Sequence, residues 1–219
     1  MTPSSPPIVV CGTDTDVGKT VVSAWLVQGL NATYWKPVQS GLDGGGDRGR
    51  VQQLLGLPPD RLLPEAYAFQ QPVSPHWAAE LDAHPLEPDR LQLPTTTGPL
   101  IIETAGGLMV PLTRTWLQLD QLQRWACPIV LVARSGLGTL NHTLLSLEAL
   151  RHRGLEVIGV ILNGPPHADN PATLEQFGKV SVIGHLPPLA PLDAQQLQQQ
   201  WLQQGLSQVF AQVLAKQQR

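Results

Sequence analysis

Apolar residues fall in short, unbroken runs along this chain: Ile8–Cys11, Thr33–Val38, Leu100–Glu103, Pro128–Ala133, Val157–Leu162 and Val180–Leu186. They are rich in Val, Ile and Leu and do not alternate with polar residues, which predicts strands buried on both faces. Between the runs the period changes. Trp116, Leu119, Leu122 and Trp125 recur at helical spacing, as do Leu140, Leu144, Leu147 and Leu150, and Val21–Leu30 is helix-like. Leu197, Trp201, Phe210 and Leu214 predict one terminal helix that takes in the Gln-rich tail from Gln195. Strands alternating with helices predict an α/β fold. We expect a single domain over residues 1–219, with a mostly parallel sheet flanked by helices on both faces. Gly41–Gly98, rich in proline, is the least regular stretch. Short helices are expected there near Asp47–Leu55 and His76–Asp82.

Parallel sheets place their chemistry at the carboxyl ends of the strands. After the first run comes Gly12-Thr13-Asp14-Thr15-Asp16-Val17-Gly18-Lys19-Thr20. Strand, tight loop and helix in that order bring backbone N–H groups and a helix N-terminus onto a phosphate. Lys19 would reach the outer phosphates, and the Thr20 hydroxyl would ligate Mg²⁺. Five residues separate Gly12 from Gly18, one more than in the common phosphate loop, and Asp14 and Asp16 lie among them. Carboxylates beside a triphosphate repel it, so the loop predicts a dication or a cationic second substrate.

After the second run, Lys36 is either an exposed charge or an electrostatic clamp on a transferring phosphoryl group, and Ser40 could hydrogen-bond a substrate. Glu103 ends the third run as a strand-end carboxylate of the kind that holds Mg²⁺. Gly106 and Gly107 after it permit close backbone approach. Asp47 is either a metal ligand or a helix cap. The loop Ser135–His142 opens a leucine-rich segment and offers a second anion site. Asn163 suits the edge of a purine, and Pro187-Pro188-Leu189 could flank a base. No Asn-Lys-x-Asp sequence occurs, which favours ATP over GTP.

Charge narrows the field. Fourteen Lys and Arg against 17 Asp and Glu give a net charge of −3 with no basic stripe, which argues against nucleic acid. The six histidines show no metal spacing, and no Ser/His/Asp or Cys/His arrangement is legible. Cys11 and Cys127 sit in or beside apolar runs, as buried reduced thiols do. Met1–Pro7 lacks the charge and apolar core of a signal peptide, and no run approaches membrane-spanning length. A cytoplasmic protein without a membrane partner is expected.

Gly12–Thr20, Lys36-Pro37-Val38-Gln39-Ser40-Gly41, Ser74-Pro75-His76, Glu103-Thr104-Ala105-Gly106-Gly107, Gly138-Thr139-Leu140-Asn141-His142 and Asn163 follow one another as in the dethiobiotin synthetase family. The chain resembles that family from residue 8 to about residue 190. The resemblance implies ATP-dependent closure of the ureido ring of dethiobiotin from 7,8-diaminopelargonic acid and CO₂, with Mg²⁺. It implies that Lys19, Lys36 and Thr15 are catalytic, and that Thr20, Asp47 and Glu103 hold metal. Asp16, Val17, Gly18, Lys19, Thr20, Val21, Asp47, Glu103, Thr104, Ala105, Gly106, Asn163, Pro187, Pro188 and Leu189 would bind ATP. Thr15, Ser40, Gly138, Thr139, Leu140 and Asn141 would bind the diamine, the last four supplied across a homodimer interface. Thr104 stands where the family usually has glycine. A rival reading is a regulatory ATPase switch of the partitioning or maturation class.

Overall fold

All five residues of β1 (Ile8–Gly12) are buried, as a strand covered on both faces must be. The computed structural model describes residues 7–216, with side chains through residue 212. After β1 come α1 (Lys19–Gly29), β2 (Thr33–Trp35), β3 (Val38–Ser40), α2 (Gly46–Leu55), β4 (Leu62–Leu63), β5 (Tyr67–Phe69) and α3 (Pro75–Leu81). The second half holds β6 (Leu100–Gly107), α4 (Gln118–Trp125), β7 (Ile129–Arg134), α5 (Thr139–His152), β8 (Val157–Asn163), α6 (Asn170–Gly178), β9 (Val182–Leu186), α7 (Ala194–Gln203) and α8 (Leu206–Lys216). Seven strands form one parallel sheet in the order β4-β2-β6-β1-β7-β8-β9, and β3 pairs with β5 in a separate two-stranded ribbon.

Successive residues of β1 feed opposite cores. Ile8 and Val10 pack with Trp25 of α1, Val51 of α2, Trp201 of α7 and Phe210 of α8. Val9 and Cys11 pack on the other side with Ala78 of α3, Leu122 and Trp125 of α4, Leu147 of α5 and Leu174 of α6. The architecture is therefore the expected one, an α/β layer structure with helices on both faces. Among the described residues no helix is long and apolar enough to cross a membrane.

Four elements differ from the pattern. The run Thr33–Val38 is not one strand. It stops at Trp35 and resumes at Val38 in the other sheet. Pro37 lacks the N–H a central strand must donate, so the chain turns there. The terminal helix is two helices, broken at Gly205 with φ 62. Trp116 precedes α4 instead of belonging to it, and its ring lies under the Arg124 guanidinium at 4.5 Å. Helix α6 carries no strong apolar period and was not expected. The side chain of Leu214, and Met1–Pro6 with the reading of no signal peptide, lie outside the described residues.

Candidate active site

The phosphate loop is built by backbone conformation. Gly18 caps α1 at φ 93 with no side-chain capping bond, which leaves the N–H groups of the first turn free for an anion. Asp16 is also left-handed, at φ 56. A Cβ on Gly18 would fall 2.1 Å from the Asn163 amide, which donates to the Val17 carbonyl at 3.2 Å. Lys19 folds back over Gly12 and donates to the Asp14 carbonyl at 2.7 Å. Burial, with Lys36 nearby, lowers its pKa below the ordinary lysine value.

Glu103 does not end its strand, because β6 runs on to Gly107. What ends is the neighbour. β2 pairs with β6 only as far as Trp35 opposite Ile102. The next residue on the β2 side is Lys36, which enters the gap beside the Glu103 carboxylate. Lys36 is 3% exposed, and its Nζ lies 2.5 Å from Asp47 Oδ2, 3.0 Å from Glu103 Oε1 and 3.2 Å from the Thr104 carbonyl. Burial alone would lower its pKa, but Glu103 and then Asp47 outweigh burial and raise it. Burial would likewise raise Asp47, yet the Lys36 charge holds that carboxyl below its ordinary value. Lys36 is thus a buried charge and not an exposed one.

The Thr20 hydroxyl lies 2.9 Å from both Asp47 Oδ1 and Glu103 Oε1. One hydroxyl proton serves one acceptor at a time, so a second negative oxygen is always left without that proton. A hydroxyl and two carboxylates converging in this way are a hard oxygen donor set. It fits Mg²⁺, which is commonly held by one or two carboxylates plus substrate phosphates. Among the described residues no cluster of three or more His, Cys, Asp or Glu side chains could hold a metal. Asp47 also sits in the first turn of α2, but its side chain faces Lys36 and Thr20 and caps nothing.

A cavity of about 660 Å³ opens over this cluster. Thr15, Asp16, Gly18, Lys19, Thr20 and Val21 line one side, and Lys36, Ser40, Asp47, Glu103, Ala105 and Gly106 line the rest. Among the described residues the buried Ser40 hydroxyl has no hydrogen-bond partner. Ser74 and Pro75, from the Ser-Pro-His sequence, complete the wall.

Other expected residues do not line this cavity. Val17 is buried in the α1-side core, and Thr104 is buried with its hydroxyl donating to the Val10 carbonyl at 3.3 Å. A threonine fits there because the position is ordinary strand with a polar partner in reach. Asn163 braces the loop from below. Pro187, Pro188, Leu189 and the loop Gly138–Asn141 do not line it, and Thr139 is buried with its hydroxyl beside that of Thr143 at 3.3 Å. Gly138 caps α5 at φ 89, again without a side-chain bond.

Sequence reasoning missed four residues. The Tyr34 hydroxyl donates to Glu103 Oε2 at 2.9 Å, and burial and then the Glu103 charge push its pKa well above 10. Gln39 accepts from the Asp47 N–H at 3.1 Å and pins the start of α2. Arg50 lines the cavity one turn after Asp47. Arg134 lies 3.1 Å from Asp14 Oδ2. Spacing offered a hint for two: Gln39 is inside the Lys36–Gly41 motif, and Arg50 is three residues past Asp47.

A family model described as an AAA domain matches residues 7–196. An ATP-dependent dethiobiotin synthetase BioD from Rhodopseudomonas palustris is 53% identical over 194 residues, spanning 89% of this chain and 93% of that protein. Two solved structures share the fold. A ParA family ATPase from Chlorobium tepidum has a TM-score of 0.57 at 12% identity, covering 86% of each chain. A septum site-determining protein MinD from Pyrococcus horikoshii has a TM-score of 0.54 at 16% identity, covering 83% of this chain and 81% of that one.

Proposed function

We propose how this chain, which belongs to the family of ATP-dependent dethiobiotin synthetases, carries out its ATP-dependent ligase reaction. The reading runs as follows. One amine of 7,8-diaminopelargonic acid takes up CO₂ as a carbamate. A carbamate oxygen attacks the γ-phosphorus of ATP and ADP leaves. The second amine then attacks the carbonyl carbon of the mixed anhydride, the ureido ring closes, and phosphate departs. All 219 residues serve as one synthetase domain, acting in the cytoplasm.

The observation that carries this reading is the cavity in which Lys19, Lys36, Thr20, Asp47 and Glu103 meet opposite the unpartnered Ser40 hydroxyl. Lys19 swings from the Asp14 carbonyl to the outer phosphates, and Lys36 stabilises charge that develops on the transferring group. Thr20, Asp47 and Glu103 would hold Mg²⁺, which neutralises phosphate charge. Asp16, Gly18, Val21, Ala105 and Gly106 shape the nucleotide side, while Thr15 and Ser40 orient the carbamate. Val17 and Thr104 act from beneath, through the backbone they fix. Asn163, with Pro187, Pro188 and Leu189, holds adenine beyond the cavity rim.

The far carboxylate of the diamine docks at Gly138, Thr139, Leu140 and Asn141 of the partner subunit in a two-fold homodimer. Lys19→Ala chains and chains with Asp at Thr139 and Leu140 are each expected to be inactive. Mixed dimers of the two should regain activity, because one interface then carries both intact halves; no rescue from verified mixed dimers counts against a shared site.

The test of the chemistry is direct. Purified protein is incubated with ATP, Mg²⁺, bicarbonate and the diamine, and dethiobiotin is sought by mass spectrometry. Its absence sinks the proposal. Fast phosphate release that ignores added diamine would instead support the switch-ATPase reading, since a fold shared with ParA and MinD does not by itself fix function.

A further inference from the structure

Of the two oxygens of Glu103, only one faces the cavity cluster. Oε1 meets Thr20 and Lys36, whereas Oε2 is turned into the sheet, where the Tyr34 hydroxyl donates to it at 2.9 Å. Tyr34 and Glu103 are both 0% exposed. The contact follows from strand register. Tyr34 lies opposite Ile101, so Glu103, two residues on, is its diagonal neighbour on the same face of the sheet. The phenol spans that diagonal from the α1-side core.

We propose that Tyr34 is a positioning residue, whose hydroxyl fixes the Glu103 carboxylate in the one rotation that presents Oε1 to the metal and to Thr20. The assignment rests on the reading of Glu103 as a metal ligand. Among the described residues Tyr34 is the only hydrogen-bond partner of Oε2. Without the phenol, Oε2 is a buried acceptor with no donor. The carboxylate then gains by rotating to share Lys36 or by drawing in water, and either movement takes Oε1 away from Thr20. An unpaired buried acceptor is costly enough to drive such a rotation. Groups that orient a metal ligand from behind commonly change metal affinity by about 10–100-fold.

The experiment measures Mn²⁺ binding in the presence of ADP by electron paramagnetic resonance, with ADP binding in EDTA measured separately. Tyr34→Phe should weaken Mn²⁺ about tenfold or more and leave metal-free ADP affinity unchanged. Glu103→Gln serves as the reference. If Glu103→Gln weakens Mn²⁺ and a folded Tyr34→Phe does not, the positioning role is wrong while the metal reading stands. If Glu103→Gln has no effect, both fail. A second measurement needs no stable variant. The chain has two tyrosines, and the other, Tyr67, accepts from the Glu87 N–H away from the cavity. With 3-fluorotyrosine incorporated, adding Mg²⁺ to the ADP complex should shift the Tyr34 fluorine resonance and leave that of Tyr67 in place. An unmoved Tyr34 resonance overturns the proposal.

Discussion

Replacing Lys36 with Met keeps most of the side chain's volume and removes its charge. In the wild type that charge lies 2.5 Å from Asp47 Oδ2 and 3.0 Å from Glu103 Oε1, and the Glu103 side chain is only 1% exposed. Losing one partner of a buried ion pair costs about 3–5 kcal/mol, because the other is left uncompensated. The Asp47 side chain is 31% exposed and can rehydrate, so the low end, about 3 kcal/mol, applies. For a chain of this size each kcal/mol moves the melting temperature by about 2–4 °C, giving a fall of about 6–12 °C in EDTA. Mg²⁺ should then stabilise the variant more than the wild type, since the cation enters two carboxylates that no ammonium occupies. Turnover should fall about 10²–10³-fold with ADP affinity far less affected, because the charge acts on the transferring group. The assay is calorimetric unfolding in EDTA and in Mg²⁺, paired with single-turnover kinetics. An unchanged melting temperature in EDTA would show that the observed ion pairs carry no weight. Near-normal turnover would remove Lys36 from the chemistry.

Lys19 has a lowered pKa when free, chiefly through burial, and bound phosphates should raise it. ADP binding at alkaline pH below 10.5 is therefore expected to take up protons, read by calorimetry in two buffers of different ionisation enthalpy; proton release would contradict this. Asp47 has a folded pKa below its unfolded value of 3.8, so its contribution is complete above that pH and disappears as pH falls through the folded value. Lys36 has a folded pKa above 10.5, so its contribution holds below 10.5 and is lost as pH rises further. Acid and alkaline unfolding titrations should both lose these edges in the Lys36→Met variant. Burial pushes the thiols of Cys11 to about 12 and Cys127 to about 11, so neither should react with a disulfide reagent at pH 8 until the protein is unfolded. Gly18→Ala should lower the melting temperature. Adding Asn163→Ala should recover part of that loss, because it removes the clash but not the strain at φ 93; no recovery would mean that Asn163 does not set the loop's fit.

The frame of this fold was legible because buried parallel strands write themselves as unbroken apolar runs. β1, β7 and β8 were found within a residue or two, and the two short helices in the proline-rich stretch fell where expected. Elements held by tertiary contact left less trace. β4 is two residues long, β5 is three, and α6 draws its order from packing on α5. The cluster of Lys19, Thr20, Lys36, Asp47 and Glu103 was legible because each follows or sits in a recognisable strand or loop. Tyr34 was not, since a strand tyrosine reads as core until its register against Glu103 is known. Expectations for Gly138–Asn141 and for Pro187–Leu189 concern segments that do not line the cavity of this chain.

The acids of the phosphate loop predicted an external cation, and the structure divides that argument between them. Asp14 is answered within the chain. Its Oδ1 accepts from the Thr15 N–H at 2.7 Å, its Oδ2 meets Arg134, and its carbonyl receives Lys19. Both partners of the Asp14–Arg134 pair are about half exposed, so the pair adds little stability and serves to tie the loop to the end of β7. Asp16 has no such answer. It takes no ion pair or side-chain hydrogen bond among the described residues, and it lines the cavity. Asp16, Asp47 and Glu103 then balance Lys19, Lys36 and Arg50 around the wall. A neutral wall attracts a polyanionic triphosphate poorly on charge alone. On the proposed function, binding draws on the N–H groups at the start of α1, on a dication held by Thr20, Asp47 and Glu103, and on a second ligand whose positive charge suits Asp16. A diamine meets that last requirement and water does not. On that reading ATP turnover is coupled to the diamine, so phosphate release measured without diamine should be slow; fast release that ignores added diamine would refute it.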